Sequence, residues 1–233
     1  MEVIVKKTAE EASEKAFKLI TEDIKKGAKV LGLATGSTPE KLYDLMTSSD
    51  QDYSDMISVN LDEYVGLSAE DPQSYSYFMQ KHLFDKKPFK ETHIPDGMAD
   101  SGKETARYET VLKENPVDVQ ILGLGTNGHI GFNEPGTSFD SITHKVDLVQ
   151  STIDSNKRYF ENEEDVPKTA YSMGIESIMR AEKIILMAFG KNKAEAVKGL
   201  VEGPVTEELP ASILQEHPDA IILLDEDAAS LLK

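Results

Sequence analysis

The chain of 233 residues has no cysteine. That excludes a disulfide framework, a thiolate metal site and a cysteine nucleophile. Positive charge is scarce: 25 Lys and Arg stand against 42 Asp and Glu, a net charge of −17. Such an acidic surface argues against nucleic acid and anionic membranes as partners. An anionic small molecule would need a local cationic pocket, so basic residues beside glycine turns become informative. No apolar run approaches the roughly 18 residues needed to span a bilayer. The opening Met1-Glu-Val-Ile-Val-Lys-Lys7 is no signal peptide. A soluble, cytoplasmic protein is expected. Repeats, low-complexity tracts and Pro/Ser-rich linkers are missing too, so residues 1–233 read as a single domain with a substantial core.

What is present is concentrated in Ile121-Leu-Gly-Leu-Gly-Thr-Asn-Gly-His-Ile-Gly-Phe-Asn-Glu-Pro-Gly136. Val117 to Leu122 is a short apolar, β-branched run, the pattern of a buried strand. Glycines 123, 125, 128 and 131 follow, leaving the backbone free for positive φ and for close approach to a ligand. Gly123-Leu-Gly-Thr-Asn-Gly128 matches a dinucleotide fingerprint, but that motif needs a helix opening at its third glycine. Gly131, Asn133, Pro135 and Gly136 interrupt any such helix, so the match is rejected. The loop instead presents Asn127, His129 and Glu134. An isolated histidine in a turn is most often a surface residue. Paired with a carboxylate that fixes its tautomer, it becomes a general acid/base. The residues alone leave both readings open.

Along the chain, Val3–Val5 reads as a strand, and Thr8-Ala-Glu-Glu11 has capping-box spacing for a helix through Lys26 that Gly27 ends. Lys29–Ala34 is a strand. Thr35-Gly-Ser-Thr-Pro39 follows, with Thr38 expected to cap a helix and Pro39 in its first turn. A strand, a glycine turn and a helix N-terminus make an anion-binding arrangement, though without the Gly-Lys-Ser/Thr of a Walker loop. Met56–Asn60 is a strand running into the adjacent acids Asp62 and Glu63, read as a loop at a strand end, where open α/β sheets place ligands. Helices are expected over Tyr75–Phe84, Gly102–Glu114, Ile175–Arg180, Ala194–Val201 and Pro210–Glu216, and strands over Lys183–Phe189 and Ala220–Leu224. His144–Val149 is a weak strand signal, and the stretches around Arg158 and Lys168 read as irregular. Lys191 and Lys193 precede a helix whose dipole they oppose, so a bound anion would give them a purpose. The alternation predicts an α/β fold with a mainly parallel twisted sheet flanked by helices. The loops after residues 34, 60, 122 and 189 should gather at one sheet edge.

Together the segments Leu33–Pro39, Asn60–Gly66, Gly123–Gly136, Val166–Ala170, Gly190–Ala194 and Gln215–Ile221 resemble the glucosamine-6-phosphate deaminase family, nearly end to end. The resemblance implies a Rossmann-like fold of the ribose-5-phosphate isomerase/CoA-transferase group, working on a sugar phosphate without metal or organic cofactor. It implies that Asp62 moves a proton between C2 and C1 through an enolamine. His129 would open the pyranose ring, held by Glu134, with Asn127 completing the relay. Some members carry Asp where Asn127 stands. Asn cannot ionise, so its part must be hydrogen bonding. Thr35, Gly36, Ser37, Thr38, Arg158 and Lys193 match the phosphate-holding elements. The product would be fructose 6-phosphate with ammonium, in amino-sugar catabolism.

Two other readings are weighed against it. A 6-phosphogluconolactonase of the same superfamily would share the phosphate turn but would not need a C2–C1 base at Asp62. A sugar-phosphate-sensing module would bring a DNA-binding helix-turn-helix and a basic surface, and the first helix here opens near residue 9. Longer members are allosteric hexamers whose effector site uses an Arg and a Lys after the Glu-Pro of the central loop. His144 and Val146 stand at those positions, which predicts a non-allosteric protein and favours a monomer.

Overall fold

A computed structural model describes residues 1–157, 160, 162 and 165–233, without the side chains of Ser151, Ser155 and Asn156. The expected Arg158 contact therefore lies outside the described residues. Seven parallel strands form the main sheet: β1 (Glu2–Lys6), β2 (Val30–Leu33), β3 (Ile57–Asn60), β5 (Glu91–His93), β6 (Val119–Gly123), β9 (Lys183–Ala188) and β10 (Ala220–Asp225). Their spatial order is β1-β10-β9-β6-β2-β3-β5. From β2 the chain builds outward through β3 and β5. From β6 it builds the other way through β9 and β10. The reversal between β2 and β6 is a topological switch point, where a crevice opens outside the carboxyl ends of the strands.

Strands covered on both faces read as continuous apolar runs. In β10, Ile222 and Leu224 face one side, packing with Tyr108 and Leu112 of α4 (Ser101–Glu114), Ile178 of α6 (Ile175–Met179) and Val197 and Leu200 of α7 (Ala194–Glu202). Ile221 and Leu223 face the other side, with Ala16 and Ile20 of α1 (Ala9–Lys26) and Leu42, Tyr43 and Met46 of α2 (Ser37–Ser48). Thr8 caps α1, its Oγ1 accepting from Glu11 N at 3.2 Å, and Gly27 closes it in the left-handed conformation. The Thr8 cap was legible in the sequence, though Glu11 Oε2 reaches back to Lys7 N, at 3.2 Å, rather than to Thr8 N; a cap of this kind contributes about 1 kcal/mol. Pro210–Glu216 winds as a 3₁₀ helix rather than an α-helix. Among the described residues no helix is long and apolar enough to cross a membrane.

A second, antiparallel sheet of three strands lies beyond β3: β4 (Asp62–Tyr64), β8 (Thr169–Ser172) and β7 (His144–Asp147), in the order β4-β8-β7. It corrects the reading of Asp62 and Glu63 as loop acids. Both sit on a strand, Asp62 opposite Ser172 and Glu63 opposite Tyr171. Over this sheet Tyr64, Phe132, Leu148 and Ala170 form a small apolar cluster of their own. The short α3 (Tyr75–Met79), which continues into a π-helical turn Gln80–Phe84, and α5 (Gln150–Asn156) complete the elements that position the site.

Candidate active site

The four loops expected to gather belong to β9, β6, β2 and β3, which are consecutive neighbours in the sheet. Their carboxyl ends open into a cavity of about 310 Å³, the scale of a small-ligand pocket. Thr35, Gly36, Ser37, Thr38, Asp62, His129 and Lys193 all line it. Asn127 and Glu134 stand behind His129.

The turn after β2 differs from expectation in one respect. Gly36, not Thr38, is the N-cap of α2, with φ 91 and ψ −177, and no side chain caps the helix. A residue with a Cβ is strained at that φ, so glycine lets the helix begin two residues early. Its first-turn N–H groups are thereby left to the cavity. An uncapped helix N-terminus is suited to a phosphate. Lys193 joins it from the loop after β9, its Nζ donating to Leu124 O at 2.7 Å.

The loop after β6 folds back on itself. Gly125 N donates to His129 O at 2.9 Å, and the imidazole lies so close over Gly125 that a Cβ there would sit 2.2 Å from the ring. No helix opens at Gly128, consistent with rejecting the dinucleotide fingerprint. Asn127 Nδ2 donates to Glu134 Oε2 at 2.8 Å, and Asn127 Oδ1 lies 2.7 Å from His129 Nδ1. A carboxylate can only accept, so the amide must turn its NH2 toward Glu134 and its oxygen toward the imidazole. Nδ1 is then the protonated nitrogen, and the Nε2 lone pair is left available for proton transfer. Glu134 Oε2 also lies 3.5 Å from Nδ1. Burial works against the Glu134 carboxylate. His129, the Thr152 hydroxyl and the Asn127 amide together outweigh it and hold its pKa below the ordinary value.

Asp62 is 7% exposed. Burial and the adjacent Glu63 charge push its pKa up to about 8. Glu63 is also pushed up by burial, to about 7, against the pull of backbone N–H donors from Tyr75, Ser76 and Tyr64. Among the described residues Asp62 has no such donors, so burial and the neighbouring carboxylate both act to keep it protonated. An aromatic wall shares the cavity with Asp62: Tyr64, Tyr75, Phe78, Phe132 and Phe160 line it, with Tyr75 and Phe132 stacked at 6.0 Å. Thr152 of α5, whose hydroxyl donates to Glu134 Oε1, also lines it. Thr152 was missed in the sequence, as nothing local marks one threonine of a polar helix. Tyr64 and Phe132 stood inside the motifs without a role.

Comparison with known proteins meets this geometry. The family described as glucosamine-6-phosphate isomerases/6-phosphogluconolactonase matches residues 3–223. The chain belongs to this family. Within it, the glucosamine-6-phosphate deaminase of Enterococcus faecalis is 61% identical over 233 residues, covering the whole of both chains. That of Listeria monocytogenes is 58% identical over 234 residues, again with full coverage of both. Among solved structures, a monomeric glucosamine-6-phosphate deaminase superposes with a TM-score of 0.95 at 44% identity, over 99% of this chain and 100% of that one. The 6-phosphogluconolactonase of Trypanosoma brucei, at 19% identity and a TM-score of 0.81 over 100% of this chain and 98% of that one, shares the fold. The isomerase/lactonase family thus spans two chemistries on one scaffold, and the residues in the cavity must decide between them.

Proposed function

We propose that residues 1–233 form a single-domain glucosamine-6-phosphate deaminase that converts glucosamine 6-phosphate and water to fructose 6-phosphate and ammonium, in amino-sugar catabolism. The observation that carries this reading is a buried carboxylate, Asp62, sharing one cavity with the His129 relay and the uncapped turn of α2. Lactone hydrolysis has no use for a C2–C1 base. The full-length identity to deaminases of 58–61% supports the same choice.

The phosphate sits on Thr35, Gly36, Ser37 and Thr38, with Lys193, and Arg158 is proposed as a further cation. His129 Nε2 moves the proton that opens the pyranose ring; Asn127 and Glu134 keep its tautomer. The ammonium on C2 is an opposite charge for Asp62 and lowers its pKa on binding, so the carboxylate ionises where the base is needed. Asp62 then carries a proton from C2 to C1 through an enolamine, and hydrolysis of the ketimine releases ammonium. The chain's own residues suffice for these steps, without a metal or organic cofactor.

The test is a side-by-side assay of purified protein with glucosamine 6-phosphate, galactosamine 6-phosphate and 6-phosphogluconolactone, in a chelator. Ammonium and fructose 6-phosphate in equal amounts are expected from the first. Lactone hydrolysis without ammonium release would overturn the reading. Lys193→Ala is expected to raise KM about ten- to a hundredfold, the worth of a charge-assisted hydrogen bond, in steady-state kinetics.

We also place the protein in the cytoplasm as a non-allosteric monomer. At the positions of the effector cations, His144 bonds back to Ile142 O through Nδ1 at 2.6 Å and Val146 is apolar. Asp140 and Asp147 would repel a phosphate. The monomeric relative agrees. Substrate dependence is expected to be hyperbolic and indifferent to N-acetylglucosamine 6-phosphate. A sigmoidal curve relieved by that compound, with a hexamer by light scattering, would contradict this.

A further inference from the structure

Successive residues of a strand point to opposite faces, and β4 uses both. Asp62 lines the cavity, whereas Glu63, 2% exposed, does not. Glu63 turns instead to the start of α3. Its Oε1 accepts from Tyr64 N at 2.8 Å and Tyr75 N at 2.9 Å, and its Oε2 accepts from Ser76 N at 2.8 Å. The first turn of α3 belongs to the cavity wall: Gln73, Ser74, Tyr75 and Phe78 all line it. Tyr75 packs on Tyr64 with ring centroids 4.7 Å apart. A buried carboxylate therefore binds the strand of the base to a short helix in the wall of the sugar pocket, and no part of the chemistry described above uses it.

We propose that Glu63 is a positioning residue for Asp62: its carboxylate pins the first turn of α3 to β4 and sets how readily the neighbouring base takes on charge. The proposal rests on the reading of Asp62 as the base. Two consequences follow from the same carboxylate. As a strap, it fixes the pocket wall relative to Asp62, and misplacement of about 1 Å at a reacting group costs on the order of a hundredfold in rate. As a charge, it disfavours ionisation of Asp62 until a cation enters, which favours an amino sugar over a neutral one. The other groups facing this pair are Asp71, whose charge raises Glu63, the Tyr64 ring, and Tyr75 and Tyr108, whose hydroxyls burial pushes well up. After burial, the charge of the adjacent Glu63 is what raises Asp62.

Glu63→Gln and Glu63→Asp separate the two effects. Glutamine removes the charge and turns an NH2 toward backbone N–H donors; aspartate keeps a carboxyl group but is one methylene too short for the strap. The measurement is kcat and kcat/KM for glucosamine 6-phosphate against pH, with amide hydrogen exchange at Tyr75 and Ser76 and with Asp62→Asn as control. In Glu63→Gln the acid limb of kcat/KM is expected to move to lower pH by about one unit or more. Its plateau kcat should fall about ten- to a hundredfold. In Glu63→Asp kcat should fall, and in both variants protection of the two amides should drop. A limb that does not move in Glu63→Gln, or a wild-type kcat in Glu63→Asp, overturns the proposal. Should Glu63→Gln fail to fold, Glu63→Asp alone decides it by its kcat. If Asp62→Asn abolishes exchange at C2 while both Glu63 variants behave as wild type, the positioning role falls and the base survives. If Asp62→Asn keeps wild-type exchange, the base falls first and takes Glu63 with it.

Discussion

Asp62→Asn is expected to lower kcat by about 10²–10⁴-fold, the usual worth of a positioned acid/base group, and at the same time to stabilise the protein at alkaline pH. The amide keeps the shape of the carboxylate, so binding through the α2 turn and Lys193 should be little changed. The stability effect follows from burial. Asp62 has a folded-state pKa of about 8, above its ordinary value. Its favourable share of stability is thus complete below about pH 4 and is lost as pH rises through about 8. Asparagine has no charge to bury and loses nothing over that window. Thermal unfolding should show the variant melting higher by about 5 °C or more at pH 9, with the two curves converging toward pH 4. An equal Tm at pH 9 would mean that Asp62 is better solvated than its position in the cavity implies. Such a trade of stability for activity is common where a site must hold an uncompensated charge.

His129→Gln is expected to slow turnover of the closed-ring substrate by about 10²–10⁴-fold. The relay explains why a small change has this reach. Glu134 fixes Asn127, Asn127 fixes the Nδ1 proton, and Nε2 is left as the acceptor, each link at 2.7–2.8 Å. Glutamine can hydrogen-bond but cannot take a proton near neutral pH. An analogue whose C5 oxygen is blocked cannot close the pyranose, so the variant should lose far less on it. Initial rates on the two substrates make the comparison. Equal losses would assign His129 to binding or to a later step.

Much of this architecture was legible because the signals were local. The apolar runs of β6, β9 and β10, the Thr8 cap of α1 and the dense glycines after β6 act within a few residues of chain, and they placed the loops at the right edge of the sheet. What escaped depends on contacts distant in sequence. β4 and β8 are three and four residues long and carry polar side chains; only their mutual pairing makes them strands. That pairing buries Asp62 and Glu63, which the sequence presents as two adjacent acids. Thr38 was taken for the cap of α2 because its side chain suits that role. The φ of Gly36 moved the cap upstream, and the same glycine leaves the first turn to the ligand. Thr152 reaches Glu134 across 18 positions, a partnership no pattern in α5 announces.

The central claim is that Asp62 moves the proton between C2 and C1, and exchange into product reports it directly. Fructose 6-phosphate and ammonium are incubated with protein in D2O, and the C1 hydrogens are followed by NMR. Wild type is expected to exchange one of the two C1 hydrogens with solvent, and Asp62→Asn to leave both in place over the same time while still binding the sugar phosphate. Exchange at the wild-type rate in Asp62→Asn would contradict the account.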